Sequence, residues 1–299
     1  MERKSKNVDI LLVGGGPACC SAAIQLVRSK KNILLITKEI GGLVKNANLI
    51  ENLLGFPNGI RGKDYASLMQ EQLKKIKVPV LIDEVKKVEK VEEHFVITTS
   101  NKEFTANYVI IGSGTIPKKL EISGEEKAYQ DKKLFYEVYE AKEFLEKKDD
   151  VIIIGGGDAA YDYALNISNQ VKQIRILQRS ENAKCLPLLL KRVKKKENIQ
   201  IIKNVTPSEI SFYSNKLLLT VRKSTNNFLD LLTDKILIAV GRTPNISFIE
   251  EGLLTSENLQ STDRRLILIG DIKNKRHRQI SIAIGNGLKE AMKIIEENE

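Results

Sequence analysis

Residues 9–19 read DILLVGGGPAC, an apolar run that leads into a glycine-rich turn, and residues 151–160 repeat this arrangement as VIIIGGGDAA. Small and apolar residues at helical spacing follow the glycines in both places. A buried strand, a glycine turn and a helix open a βαβ dinucleotide-binding unit, in which the glycines let the backbone approach a pyrophosphate at the helix N-terminus. One match is weak evidence, but two in one chain predict that it holds two dinucleotides.

The segments around the two turns predict an α/β fold with two Rossmann-like domains. Residues 33–36 (ILLI) and 174–177 (IRIL) are predicted as the second strand of each unit, and residues 266–269 as the last strand. Helices are predicted over residues 64–75, 137–147 and 279–295, and two or three strands over residues 199–223. The pattern places a first domain at residues 1–114 and 243–299, interrupted by a second domain at residues 115–242.

Composition narrows the class of protein. The 299 residues, 42% hydrophobic, suffice for about two domains, and without an apolar run of about 18 residues we predict no membrane span. The first residues lack the apolar segment of a signal peptide. Cys19 and Cys20 are adjacent on a helix and poorly placed to pair, and Cys185 stands alone. These features predict no disulfide, no metal site and a reducing, cytoplasmic setting.

The net charge and the distribution of cations indicate which kinds of partner the chain could bind. The net charge is +10, and cations gather at residues 184–196 and 273–278. Such clusters indicate an acidic partner or a phosphorylated cofactor, or else solvated helix faces. Nucleic acid is not expected, because aromatic residues make up only 5% of the chain and no nucleic-acid-binding module is recognisable.

The first turn predicts an FAD site, since two dinucleotides in one chain usually pass electrons from a nicotinamide to a flavin. Its pyrophosphate residues are Gly14, Gly16, Pro17 and Ala18. Cys19 replaces a third glycine and is small enough to keep the motif. Asp271, after the last strand, could accept hydrogen bonds from ribityl hydroxyls or be a surface acid. Arg278 and the helix after it could stabilise negative charge on reduced flavin, or Arg278 could be a surface cation.

The second turn predicts a nicotinamide nucleotide site. Its phosphate-binding residues are Gly155, Gly157, Asp158, Ala159 and Ala160. An acid after the second strand favours NAD, whereas cations there favour the 2′-phosphate of NADP. Arg179 and Lys184 follow the strand, and Glu181 is the nearest acid. This pattern favours NADPH and leaves NADH open.

These motifs, in this order, resemble the low-molecular-weight thioredoxin reductase family over residues 9–292. The matching motifs are Gly14–Ala18, Gly41-Gly42, Glu51-Asn52 before Gly55-Phe56-Pro57, Gly112-Ser113-Gly114, Gly155–Asp158, Gly241–Asn245, Gly270-Asp271 and Arg278-Gln279. The resemblance implies an FAD domain of the three-layer ββα type interrupted by an NADPH domain, usually in a homodimer, with the domains rotating about residues 115–117 and 242–244.

The resemblance also assigns individual residues. It adds Gly41, Gly42, Asn52, Gly112, Gly114, Gly270 and Gln279 to the FAD site and Gly241 to the NAD(P)H site. Asn52 and Gln279 would lie near the isoalloxazine ring. Arg179 matches one of the family's 2′-phosphate arginines, whereas Ser180 replaces a second and Lys184 stands conservatively for a third.

One departure concerns the chemistry. Thioredoxin reductases carry a redox-active CxxC before the second glycine turn, and Tyr136 and Tyr139 occupy those positions here. Tyrosine cannot perform thiol–disulfide exchange, which requires a thiolate. Residues 133–136 are also similar to thioredoxin-reductase-like ferredoxin–NADP reductases, which lack the dithiol too. Either tyrosine could cover the flavin, or both could be surface or interdomain residues.

The leading hypothesis is an enzyme that passes electrons from NAD(P)H through FAD to an acceptor other than a disulfide. An acidic protein such as ferredoxin is the first candidate acceptor, and a quinone, free flavin or oxygen are others. We assign no acid–base residue, because neither His94 nor His277 sits in a motif with a partner. The alternatives are a regulatory flavoprotein with a degraded nicotinamide site, and disulfide reduction through an external dithiol.

Overall fold

The computed structural model describes residues 6–225, 227–255 and 259–297, which form two compact units. The second unit comprises Asn46–Asn48 and Pro117–Arg242, and the first comprises the rest of the described chain. The chain crosses between the units after residues 116 and 242, within two residues of the predicted boundaries. The sequence pattern did not predict that residues 46–48 group with the second unit.

The elements follow one another in a repeated strand–helix order. In chain order they are β1 (Lys6–Val13), α1 (Pro17–Arg28), β2 (Ile33–Thr37), α2 (Gly62–Ile76), β3 (Val80–Ile82), β4 (Val85–Val91), β5 (His94–Thr99), β6 (Glu103–Ile111), β7 (Thr115–Pro117), α3 (Glu125–Gln130), β8 (Leu134–Phe135), α4 (Val138–Ala141), β9 (Asp150–Ile154), α5 (Asp158–Ile167), β10 (Gln173–Leu177), α6 (Pro187–Lys194), β11 (Ile199–Ile202), β12 (Val205–Tyr213), β13 (Lys216–Lys223), β14 (Phe228–Thr233), β15 (Lys235–Ile238), β16 (Arg242–Pro244), β17 (Leu266–Leu268) and α7 (Ile280–Glu297). Short 3₁₀ helices occupy Gly42–Asn46, Lys142–Phe144 and Gly270–Ile272.

The first unit is built on one sheet with a parallel centre. Strands β3, β2, β1 and β6 are parallel neighbours, β17 pairs in parallel with β6, and β4 and β5 extend the sheet antiparallel. Both faces of β1 are buried: Ile10 and Leu12 pack with helices α1 and α7, while Leu11 and Val13 pack with β5. This double burial explains the continuous apolar run of β1, which is typical of a strand covered on both sides.

The second unit repeats the parallel arrangement. Its main sheet has the order β11-β10-β9-β15-β8, and an antiparallel meander of β12, β13 and β14 adds a second sheet. The helix predicted over residues 137–147 is wrong in length. Only α4 and the 3₁₀ turn form, because the backbone becomes extended at Leu145 and the Asp149 carboxylate accepts the N–H of Glu146 at 2.8 Å.

The two predicted hinge segments adopt regular structure. Residues 115–117 and 242–244 form β7 and β16, which make a two-stranded sheet. Among the helices of the described residues, none combines the length and apolarity needed to cross a bilayer.

Candidate functional site

The first glycine turn is wedged between two strands. The Gly14 N–H donates to the Ile36 carbonyl at 2.9 Å, and Gly14 has a φ of +120°, which favours glycine. A Cβ at this position would also collide with the Gly112 carbonyl oxygen at the end of β6. Gly14 therefore fixes the path from β1 into α1.

Open space lies beside this turn where helix α1 begins. Gly16 is the N-cap of α1, and no side chain caps the helix. A Cβ at Gly16 or at Gly114 would meet no atom within 4 Å, and the nearest atoms to one at Gly42 belong to Gly16. An uncapped helix N-terminus lined by glycines offers unsatisfied N–H groups to an anion. The predicted residues fit an FAD pyrophosphate.

Cys19 replaces the third glycine, and Gly112, which has no side chain, leaves the space that the Cys19 side chain fills. This side chain is fully buried, and its Sγ lies 3.4 Å from the Val13 carbonyl. A Cβ at Gly112 would collide with this Sγ. Burial raises the pKa of the Cys19 thiol far above its usual range, so Cys19 is a packing residue.

Four further residues predicted for the FAD site lie in the same unit as the first glycine turn: Asn52, Asp271, Arg278 and Gln279. Asn52 donates from Nδ2 to Gln279 Oε1 at 2.8 Å, which joins the two residues expected beside the isoalloxazine ring. Asp271 is half-buried in the 3₁₀ turn after β17. The Arg278 Nε and Asn274 Nδ2 atoms are buried without a described hydrogen-bond partner. Orphaned donors of this kind suit the oxygen atoms of a ligand.

One residue of the first site was missed in the sequence. Glu39 stands two residues after β2 and forms an ion pair with Lys45. In dinucleotide-binding folds, an acid shortly after the second strand binds a ribose hydroxyl group. The signal was present, since Glu39 is the first acid after the apolar run 33–36.

The second glycine turn has the same construction. A Cβ at Gly155 would collide with the Ala239 carbonyl oxygen, whereas one at Gly157 would meet nothing within 4 Å. Gly157 is the N-cap of α5, again without a side-chain cap. Ala159 in the first turn of this helix is exposed. The turn therefore also fits a phosphate group at a helix N-terminus.

The Asp158 carboxylate holds a loop, and a contact of Asp158 with the nucleotide stays a prediction. Its Oδ1 accepts the Leu186 N–H at 2.7 Å, and the Lys184 N–H donates to the Gly156 carbonyl at 2.7 Å. These bonds fasten the loop after β10 along the glycine turn. Gly241, with a φ of +118°, follows the neighbouring strand β15, and its carbonyl accepts the Lys118 N–H at 3.0 Å.

At the first dithiol position the structure places a buried tyrosine. Tyr136 is 8% exposed, and its hydroxyl donates to Glu125 Oε1 at 2.8 Å. Glu125 is itself buried and accepts the N–H groups of Leu120 and Glu121 at 2.9 and 2.7 Å. Burial, and then the bond to Glu125, raise the pKa of Tyr136. The phenol of Tyr136 belongs to the core of the second unit, which speaks against its use as a flavin cover.

The residues after Tyr136 are held by a half-buried ion pair. Glu137 pairs with Arg242 at 2.7 Å and accepts hydrogen bonds from Asn46 Nδ2 at 2.7 Å and the Tyr163 hydroxyl at 3.3 Å. The Asn46 Oδ1 in turn accepts the Tyr139 N–H at 3.1 Å. The segment that carries thiol chemistry in the similar reductases is thus a structural element of this chain. A flavin contact of the half-buried Tyr139 stays a prediction.

Within the part of the chain that the structure describes, no group of three or more His, Cys, Asp or Glu side chains is arranged to hold a metal ion.

Comparisons with known proteins agree with this construction. A family model described as pyridine nucleotide-disulphide oxidoreductase matches residues 8–287. The chain is 27% identical to the thioredoxin reductase of Bacillus subtilis over 95% of this chain and 92% of the relative. It is 25% identical to a "34.2 kDa protein in rubredoxin operon" of Clostridium pasteurianum over 97% of each chain. The crystal structure of Lactococcus lactis thioredoxin reductase matches with a TM-score of 0.88 at 28% identity, covering 97% of this chain and 99% of that one. The predicted fold of two dinucleotide-binding domains is confirmed.

Proposed function

This chain is a member of the pyridine nucleotide-disulphide oxidoreductase family, with a thioredoxin reductase-like fold, and we propose that it passes electrons from NADPH through FAD to an acceptor other than a disulfide. The observation that carries the proposal is the pair Tyr136 and Tyr139 at the dithiol positions, with the Tyr136 phenol bonded to buried Glu125. No thiolate can form there, whereas both glycine turns keep the open helix N-termini that dinucleotides require.

The chain's own residues bind and orient the two nucleotides. In the first unit, the N–H groups at the start of α1 would hold the FAD pyrophosphate, Glu39 would bind the adenosine ribose, and the Asn52–Gln279 pair would lie beside the ring. In the second unit, the start of α5 would hold the NADPH pyrophosphate, with Arg179 and Lys184 at the 2′-phosphate. Bound FAD would supply the exchange between hydride and single-electron transfer.

For the acceptor we propose an acidic one-electron carrier protein such as a ferredoxin. Support comes from the net charge of +10 and from the cations at residues 184–196, which favour an acidic partner. The Clostridium pasteurianum relative is named for a rubredoxin operon, which is consistent with a small iron–sulfur protein as partner. A quinone, free flavin and oxygen are the competing acceptors.

We also propose that the chain forms a homodimer. Leu68 of α2 and Leu288 and Met292 of α7 are 39–46% exposed on the first unit, which gives that unit apolar surface to cover. Sedimentation of the purified protein at two or more concentrations measures this state directly.

The decisive experiment is anaerobic stopped-flow absorbance of the flavin-loaded protein mixed separately with NADPH and NADH. We expect NADPH to bleach the flavin band rapidly, and the reduced protein to reduce ferredoxin but not thioredoxin disulfide. Dithionite reduces flavin without a nucleotide, so its addition is the control that the bound flavin can be reduced. If dithionite bleaches the flavin and neither nucleotide does, the reductase function is wrong and a regulatory flavoprotein is favoured.

The acceptor is tested separately from the reductase. Ferredoxin, a soluble quinone, free flavin and oxygen are each mixed with the reduced protein at low and high salt. Rapid, salt-sensitive reoxidation by ferredoxin supports an acidic protein partner. Rapid reduction of thioredoxin disulfide without added dithiol would contradict the structural role of Tyr136.

A further inference from the structure

The loop after β10 contains one acid beside two cations. Glu181 lies between Arg179 and Lys184, the residues that we place at the NADPH 2′-phosphate. An ionised carboxylate free in that loop would repel the phosphate and would be available to the ribose hydroxyls of NADH. The orientation of Glu181 therefore bears on which nucleotide the site accepts.

Both oxygen atoms of Glu181 are bonded to the two residues that directly follow β11. Its Oε1 pairs with Lys203 Nζ at 2.7 Å, and its Oε2 accepts Asn204 Nδ2 at 2.7 Å. Hydrogen bonds from Lys203 and Asn204 lower the pKa of Glu181, so the carboxylate is ionised and its charge is countered locally. Lys203 and Asn204 lie more than twenty residues further along the chain.

The position directly after β10, where NAD sites place their acid, is also occupied by internal bonds. Gln178 is 2% exposed, and its Oε1 accepts the Tyr161 hydroxyl at 2.8 Å. Its Nε2 donates to the carbonyls of Ser180 and Glu181 at 2.8 and 3.2 Å. Gln178 thus shapes the turn and offers nothing to a nucleotide.

The remaining charges of the loop are positive and exposed. Arg179 and Lys184 form no ion pair with another described residue, and the Lys184 backbone is bonded to Gly156 in the glycine turn. Because the exposed Glu181 carboxylate is bonded to Lys203 and Asn204, the charges of this described loop that lack an ion-pair partner are the cations Arg179 and Lys184.

We propose that Lys203 and Asn204 determine nucleotide specificity by masking Glu181, so that the site selects a 2′-phosphorylated nucleotide over NADH. This inference rests on the proposed nicotinamide nucleotide site of the second unit. Lys203 acts here through Glu181 and is a positioning residue, without contact to the nucleotide.

The test compares adenosine 2′,5′-bisphosphate with AMP as calorimetric ligands of the flavin-loaded protein, and NADPH with NADH in flavin bleaching. Lys203→Met removes the cation that pairs with Glu181, so the negative charge of Glu181 is no longer countered beside the solvent-exposed 2′-phosphate site. The preference for the 2′-phosphorylated ligand should therefore fall about three- to fivefold. Adding Glu181→Gln to Lys203→Met should restore the preference. Lys119→Met is the matched control, because it removes an equal charge and frees Glu126 in the same unit.

The double variant separates masking from direct contact. If Lys203→Met weakens the bisphosphate equally in the Glu181→Gln background, Lys203 touches the phosphate and the masking proposal is wrong. Unchanged preference in Lys203→Met, or a wild-type protein that binds AMP and the bisphosphate alike, would also overturn it. If the binding pattern holds but no nucleotide bleaches the flavin, the inference stands and the reductase function fails.

Discussion

Gly112→Ala is a sharp test of the packing that replaces the third glycine of the first turn. A Cβ at Gly112 would collide with Cys19 Sγ and would lie 3.2 Å from Ile269 Cγ1, while both of these residues are fully buried. The backbone at Gly112 is not in the left-handed region, so any cost comes from packing. Overpacking of this kind costs about 1–3 kcal/mol. For a unit of this size, that loss corresponds to about 2–12 °C in Tm.

The assay is urea unfolding of the holoprotein, followed by flavin fluorescence and circular dichroism. Cys19→Ala alone should cost about 1 kcal/mol, because it removes one buried atom. The double variant should be more stable than the sum of the two single losses, with a coupling of about 1–2 kcal/mol. Gly285→Ala is the matched control, since a Cβ there meets no atom within 4 Å. Additive losses, or a Gly112→Ala variant as stable as wild type, would refute the reasoning.

Three other changes probe separate features. Burial raises the pKa of Asp162 to about 6. The native state therefore binds more protons than the unfolded chain, and the free energy of unfolding should fall by about 2 kcal/mol as pH rises from about 4 to about 6. Asp162→Asn, which keeps an acceptor for the Asn48 N–H, should flatten that profile in urea unfolding at several pH values. Glu39→Ala should weaken FAD binding about tenfold in fluorescence titration of the apoprotein, with NADPH binding unchanged. Arg242→Met leaves the half-buried Glu137 without its cation and should cost about 1–2 kcal/mol in urea unfolding, and an unchanged midpoint would contradict the role of that pair.

Patterns that are local in the chain predicted most of the fold. The two glycine turns, their strands and the interrupted first domain could be read from residues 9–37, 151–177 and 266–295, because each βαβ start is encoded within about thirty residues. Glu39 was equally local, and it was missed although an acid after the second strand is a known signal.

Features that depend on distant partners could not be read in this way. Glu181 lies 22 residues from Lys203, and Asn46 lies 91 residues from Glu137. The helix predicted over residues 137–147 failed for a local reason: the five residues after Leu145 are all charged, and the Asp149 carboxylate accepts the Glu146 N–H, which closes a turn there. Composition gave no sign that Glu125 would be buried, because the Tyr136 hydroxyl and the backbone N–H groups that donate to its carboxylate are brought together only in the fold.

The burial of the thiols has a consequence for the setting in which this chain can work. Cys19 and Cys20 are enclosed and strongly disfavour the thiolate, and burial also raises the pKa of the half-buried Cys185. Alkylating agents, peroxides and soft metal ions attack thiolates, and dithiol reductases are vulnerable to them for that reason. The three thiols of this chain should therefore react slowly with such reagents, and Cys19 and Cys20 most slowly, because they are enclosed as well as protonated.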